Sequence, residues 1–184
     1  MAQIANPPKA QMTWEEFLAA GEEWQRWELV DGEVEFMSPT GYRHAVVIRR
    51  LCAQLDRYCQ THPVWTGGSA DAAFRVVPGG WRCPDATLVR VDRFPDRTIP
   101  VGPVEFPPDV AFEVYSPGDS AARTARKRRD YQASGVIQVW IDAEKREAEV
   151  VHPDGTARRF AEQQPLEVKG IESLALDLKA IFEL

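Results

Sequence analysis

The stretch PDVAFEVYSPGDSAARTARKRRDYQASGVIQVWID, from Pro108 to Asp142, decides the fold. Asp109–Tyr115 is an apolar run of strand length, which predicts a central strand buried on both faces. Asp119 or Ser120 then caps a helix that runs to Ser134, and Gly135 stands where a helix terminator belongs. VIQVWID follows as a strand, and EAEVVHP pairs back on it through the turn at Ala143–Arg146. One charged residue interrupts the central run, Glu113. A carboxylate among apolar neighbours is costly unless it is paired or metal-bound.

A second carboxylate sits in a similar setting upstream, Asp85 in CPDATLV. Inward-pointing carboxylates on adjacent strands stand within about 5 Å at Cβ, close enough to share one cation. Hard cations such as Mg²⁺ take oxygen ligands and keep waters for a substrate phosphate. A metal there would activate water and neutralise charge on phosphorane oxygens. Lys127, inside RTARKRR, could supply an ammonium to hold the attacking water or stabilise the transition state. On a helix, residues 123, 127, 130 and 131 share one face and 126, 129 and 133 another. Arg126, Arg128 and Arg129 read as a solvated basic face. The plain alternative is that Asp85 caps a turn and Glu113 pairs with an arginine.

Outward from this segment the chain reads as one domain. Its 184 residues are enough for a full core, and 44% hydrophobic with 27% charged residues is ordinary globular composition. Residues 1–11, with Pro7-Pro8 and no periodicity, are expected to be a disordered lead before a single domain over 12–184. Neither a signal peptide nor a membrane-spanning run is visible, so a cytoplasmic protein is expected. The cysteines, Cys52, Cys59 and Cys83, have no metal-ligand spacing and read as reduced thiols. A net charge of −6 disfavours nonspecific coating of nucleic acid but leaves room for a locally positive cleft.

Thr13 and Glu16 form a capping-box pattern opening a short helix. WELVDGEVEFM then alternates about Asp31-Gly32, a hairpin signal, and Ser38-Pro39 ends it. Val47, Ile48, Leu51, Cys52, Leu55, Tyr58 and Cys59 fall at helical spacing and predict a helix from about 42 to 60. Strands are expected near 64–66, 72–77 and 83–91, with a Pro78-Gly79-Gly80 turn. A proline-bearing loop spans 92–108, a strand lies near 156–160, and a C-terminal helix covers 175–182. The sum is a mixed sheet flanked by helices. The tryptophans read as core, except Trp81 beside its Gly-Gly turn, which is expected to be exposed.

The order Glu28, Asp85, Glu113, Lys127 resembles the PD-(D/E)XK nuclease superfamily, and more narrowly its bacterial restriction-endonuclease branch, the Uma-two family. The matching pieces are WELVDGEVEFMSP (27–39), His44 opening a long helix, Pro84-Asp85, Glu113-Val114-Tyr115-Ser116-Pro117, Lys127 and Tyr131 on one helix, and Gly135-Val136 leading to Trp140. The resemblance implies an α/β (α+β) restriction-endonuclease-like fold, a mixed central sheet with an N-terminal helix and β-hairpin. It implies that Asp85 and Glu113 bind Mg²⁺ (or Mn²⁺ in its place), together with a backbone carbonyl near Val114. The superfamily lysine belongs two residues after the glutamate, where this chain has Tyr115. Lys127, from the following helix, is therefore the catalytic lysine that the resemblance implies. Glu28 matches an acidic residue near the metal, and its plain alternative is an exposed hairpin position. His44 is a candidate contact to phosphate or to a second carboxylate, against a surface or capping role.

The resulting expectation is a Mg²⁺-dependent endonuclease acting on DNA, with Asp85, Glu113, Lys127 and Glu28 as its catalytic set. A homodimer is expected, because the two strands of a duplex are related by symmetry. The competing expectation is a catalytically silent nuclease-like fold that binds nucleic acid or a protein.

Overall fold

A computed structural model describes residues 12–19, 27–30, 32–36, 40–70, 72–77, 80–116 and 118–183. The expected lead over 1–11, and the signals at Asp31, Ser38-Pro39 and Pro78-Gly79, lie outside them. Among the described residues a six-stranded sheet runs in the order β10-β9-β8-β7-β6-β3. Its strands are β3 (Trp65–Ser69), β6 (Ala86–Arg90), β7 (Val110–Val114), β8 (Ile137–Asp142), β9 (Glu147–Val151) and β10 (Ala157–Ala161). β7 and β8 are parallel, joined through α3 (Ala121–Ala133); their neighbours in the sheet pair antiparallel.

β7 is buried along its whole length, as its apolar run requires. Its period of two divides it between two cores. Val110, Phe112 and Val114 face α2 (Tyr42–Thr61), which inserts Val47, Leu51, Leu55 and Tyr58. Ala111 faces the α3 side, with Tyr131, Val136 and Trp140. Ser120 caps α3 by accepting the Arg123 amide hydrogen at 3.2 Å, and Gly135 ends it at φ +72°.

A smaller sheet, in the order β2-β1-β5-β4, lies beside this body. It holds the hairpin β1 (Trp27–Val30) and β2 (Glu33–Phe36), then β5 (Gly80–Arg82) and β4 (Phe74–Val77). The capping box opens α1 (Trp14–Ala19) as read: the Thr13 amide donates to Glu16 Oε2 and the Glu16 amide to Thr13 Oγ1. α1 brings Trp14 onto Trp81, with ring centroids 4.0 Å apart. Trp81 is thus buried, not exposed, because its strand is covered by α1.

Several element boundaries differ from the sequence reading. β3 extends to Ser69 through Gly67-Gly68, which hides the strand from propensity. The packing is tight at 68, where a Cβ would come within 2.9 Å of Thr87 Oγ1 and that side chain would have to shift. The strand expected over 83–91 begins only at Ala86. The C-terminal helix is shorter than expected: Ala175–Asp177 is a strand (β12) pairing with β11 (Pro165–Glu167), and the helix proper, α4, is Leu178–Phe182. Cys52 and Cys59 are free thiols packed against the core. No helix among the described residues is long and apolar enough to cross a membrane.

Candidate active site

The register brings the two carboxylates together. Ala86 pairs with Phe112, so Asp85, one residue earlier, comes alongside Glu113. Asp85 Oδ2 accepts the Val114 amide hydrogen at 2.7 Å, which fixes the carboxylate at the end of β7. α3 crosses the same end of the sheet. Lys127 Nζ lies 2.8 Å from Glu113 Oε1 and 2.9 Å from Oε2, and the Tyr131 hydroxyl donates to Oε1 at 2.5 Å. The face predicted for residues 123, 127, 130 and 131 is the face that docks. Asp85, Glu113, Lys127, His44, Thr40 and Asp119 line one small cleft of about 80 Å³.

Glu28 is buried, not an exposed hairpin residue. Its Oε1 accepts the Cys83 amide hydrogen at 3.0 Å and lies 3.3 Å from Lys127 Nζ. Its Oε2 takes Arg82 Nη1 at 2.9 Å. Glu28 therefore reaches the site through Lys127 rather than by lining the cleft. His44 is also buried, against its reading as a surface or capping residue. Its Nε2 lies 2.9 Å from the Val114 carbonyl and 3.6 Å from Asp85 Oδ2. A carbonyl only accepts, so Nε2 carries the hydrogen; Nδ1 is buried without a partner among the described residues. The signal for His44 was present: one step of three back from Val47 continues the buried stripe of α2.

Sequence reasoning missed Arg82. Its guanidinium is wholly buried among Glu28, Glu35 at 3.3 Å, and Asp130, to which both Nε and Nη2 donate. An arginine beside a Gly-Gly turn reads as solvated, and only its three partners, 47 to 54 residues away, show otherwise. The basic face of α3 also needs correction. Arg126 pairs with Glu35 at 2.9 Å, and Arg128 with Glu149 at 2.8 Å while also donating to the Tyr115 hydroxyl. These arginines serve to dock the helix. Arg129 is exposed, as read.

Charge follows this geometry. Burial pushes the Glu113 carboxyl up to about 7, and the Asp85 charge adds to the rise against the opposing pull of Lys127. Burial would also raise Glu28, but the Lys127 and Arg82 charges and the Cys83 amide overcome it and hold Glu28 at about 2. Burial would lower Lys127, yet Glu113, Glu28 and Asp85 together raise it, so it stays an ammonium. For His44 burial is outweighed by the Asp85 carboxylate, and its pKa rises. Tyr131 is raised well above the ordinary phenol value by burial and by Glu113, so it remains a hydrogen-bond donor.

A mixed sheet between α2 and α3, with buried carboxylates and a lysine at one sheet end, is a fold shared with a putative nuclease of known structure. The chain is similar to the crystal structure of a putative nuclease from Anabaena variabilis, with a TM-score of 0.81 at 16% identity, over 93% of this chain and 97% of that one. The chain belongs to the Uma2 family, described as putative restriction endonucleases, whose family model matches residues 14–179. No curated protein matches it.

Proposed function

We propose that the protein is a divalent-metal-dependent endonuclease that hydrolyses phosphodiester bonds in DNA. The observation that carries this reading is Lys127 Nζ held 2.8 Å from Glu113 in a cleft that Asp85 also lines. The donor set fits a hard cation. Two carboxylates repel across the cleft strongly enough that Asp85 helps raise Glu113, and a cation between them relieves that repulsion. Among the described residues no group of three or more His, Cys, Asp or Glu gathers as a metal site. Two carboxylates, with waters and phosphate oxygens completing the shell, is the arrangement Mg²⁺ favours and Mn²⁺ can replace. The Val114 carbonyl, expected as a further ligand, already accepts from His44 and keeps one lone pair. When bound, the metal supplies an activated water and charge neutralisation at the phosphate.

The chain's own residues do the rest. Asp85 and Glu113 hold the cation, Asp85 being oriented by the Val114 amide. Lys127, fixed between Glu113 and Glu28, presents an ammonium to the attacking water or to charge developing on phosphate. Tyr131 orients Glu113 from behind. His44 braces the β7 end beside Asp85. The same reading takes the protein to be a cytoplasmic homodimer, since two symmetric sites suit the two strands of a duplex.

A second reading, a silent nuclease-like fold that binds nucleic acid or protein, is favoured by the net charge of −6 and by the internal pairing of α3's arginines. Incubation of plasmid DNA with Mg²⁺ or Mn²⁺ separates the two. Nicking or linearisation by wild type and its loss in Glu113→Ala supports the nuclease; equal, metal-independent inactivity of both supports the silent fold.

A further inference from the structure

We infer that Arg82 is a positioning residue of this site, which holds Lys127 on Glu113 by occupying Glu28. The inference rests on the nuclease reading for its catalytic consequence but not for its geometry. Lys127 Nζ stands between two buried carboxylates, Glu113 at 2.8 Å and Glu28 at 3.3 Å. Left alone, Glu28 would compete for the ammonium, because an unpaired carboxylate buried in a protein takes the nearest cation available. It is not left alone. Arg82 Nη1 takes Oε2 at 2.9 Å, and the Cys83 amide takes Oε1 at 3.0 Å. What remains of Glu28 for Lys127 is a partly engaged oxygen at the longer distance.

The guanidinium also sets where α3 lies. It donates through Nε and Nη2 to Asp130, one turn beyond Lys127, while Nη1 holds β1 through Glu28. One planar fork thus ties the strand bearing Glu28 to the helix bearing Lys127 and Tyr131. Arg123 adds contacts to the same carboxylates, at 3.7 Å to Glu28 and 3.3 Å to Glu35, but it is partly exposed. Arg82 is wholly buried and sits 2.9 Å from Glu28. It lines no part of the cleft, so it acts through its neighbours and not on substrate.

The test compares Arg82→Met, Arg82→Lys, Glu28→Gln and the double variant Arg82→Met/Glu28→Gln, in metal-dependent DNA cleavage and in crystal structures. Arg82→Met is expected to lose about 10- to 100-fold in kcat with KM changed less than about threefold, since the defect lies in the placed ammonium and not in DNA binding. In its crystal structure Lys127 moves onto Glu28 and away from Glu113. Adding Glu28→Gln removes the competitor, so the double variant is expected to recover about fivefold or more over Arg82→Met. A merely structural arginine predicts the opposite, a further loss. Arg82→Lys keeps a charge against Glu28 and is expected to retain Lys127 on Glu113 with under about tenfold loss. If Arg82→Met does not fold, the double variant is read against Glu28→Gln alone: kcat within about threefold of Glu28→Gln, with Lys127 on Glu113, is expected, and a larger loss or a displaced Lys127 overturns the inference. The inference is overturned if Lys127 remains on Glu113 in Arg82→Met, or if the losses at 82 and 28 simply add. A wild type that cuts nothing with Mg²⁺ or Mn²⁺ sinks the nuclease reading, and the position of Lys127 in the variants still decides the role of Arg82.

Discussion

Glu113 shows how burial turns an ordinary side chain into a site. Its carboxyl is held at about 7 because it is desolvated beside Asp85, even with an ammonium and a phenol hydrogen-bonded to it. A cation held there as proposed would have to displace whatever proton Glu113 carries, so its affinity would depend on pH with a definite sign. Affinity for Mg²⁺ is expected to be weak below pH 6, to rise through about 7 as the proton leaves, and to level off above 8. Calorimetric titration at stepped pH checks this, and a profile flat from pH 5 to 8 contradicts it. Lys127→Met, measured at pH 8 in saturating Mg²⁺, is expected to lower kcat about 10²- to 10³-fold, the range for losing one preorganised charge at a reacting centre. The same variant is expected to lower Mg²⁺ affinity far less than it lowers kcat. Tyr131→Phe leaves Glu113 Oε1 with Lys127 alone. Removing that buried hydrogen bond is expected to cost about 1–3 kcal/mol in urea unfolding.

At the scale of elements, the legible parts were those where local pattern and tertiary role agree. The central strand, the α2 stripe, the α1 capping box and the Ser120–Gly135 bounds of α3 all follow from spacing, caps and terminators. What escaped was set by partners distant in the chain. β5 is three residues long and reads as the far side of a turn, yet it delivers Trp81 to α1 and Arg82 to α3. The arginines of α3 have a solvent-facing pattern and become paired only because β2 and β9 bring Glu35 and Glu149 to them. Helix α3 therefore depends on its cap and on these docking pairs rather than on a wide apolar stripe; Tyr131 is its buried residue. Ser120→Ala is expected to destabilise the protein by about 1 kcal/mol through the lost cap, with an unchanged denaturant slope, as read by urea titration. An effect below a few tenths would mean that docking alone holds the first turn.

For the whole molecule, the site residues that sequence order brought together, Asp85, Glu113, Lys127, Glu28 and His44, form one connected network, but their division of labour was not legible. Order along the chain could not tell that Glu28 lies behind Lys127, because that depends on how the small sheet packs against α3. The consequence is global, since buried carboxylates shifted in opposite directions shape the stability of the fold. Glu28, at about 2 against an ordinary 4.5, stabilises the folded state above pH 4.5, and that contribution disappears as pH falls toward 2. Glu113, raised to about 7, has the reverse sign: its contribution is fully present below 4.5 and is lost as pH rises through 7. Each shift is worth on the order of 3 kcal/mol. Metal-free protein is thus expected to gain stability from these two groups most strongly near pH 4.5 to 5. Glu113→Gln should gain on wild type as pH rises from 5 to 8, while Mg²⁺ should restore wild type over that same range and leave the variant unmoved. Thermal unfolding of both proteins at stepped pH, with and without Mg²⁺, measures the difference. If the gap between them stays constant with pH, then Glu113 does not titrate in the folded protein between 5 and 8, and burial beside Asp85 does not hold its carboxyl near 7.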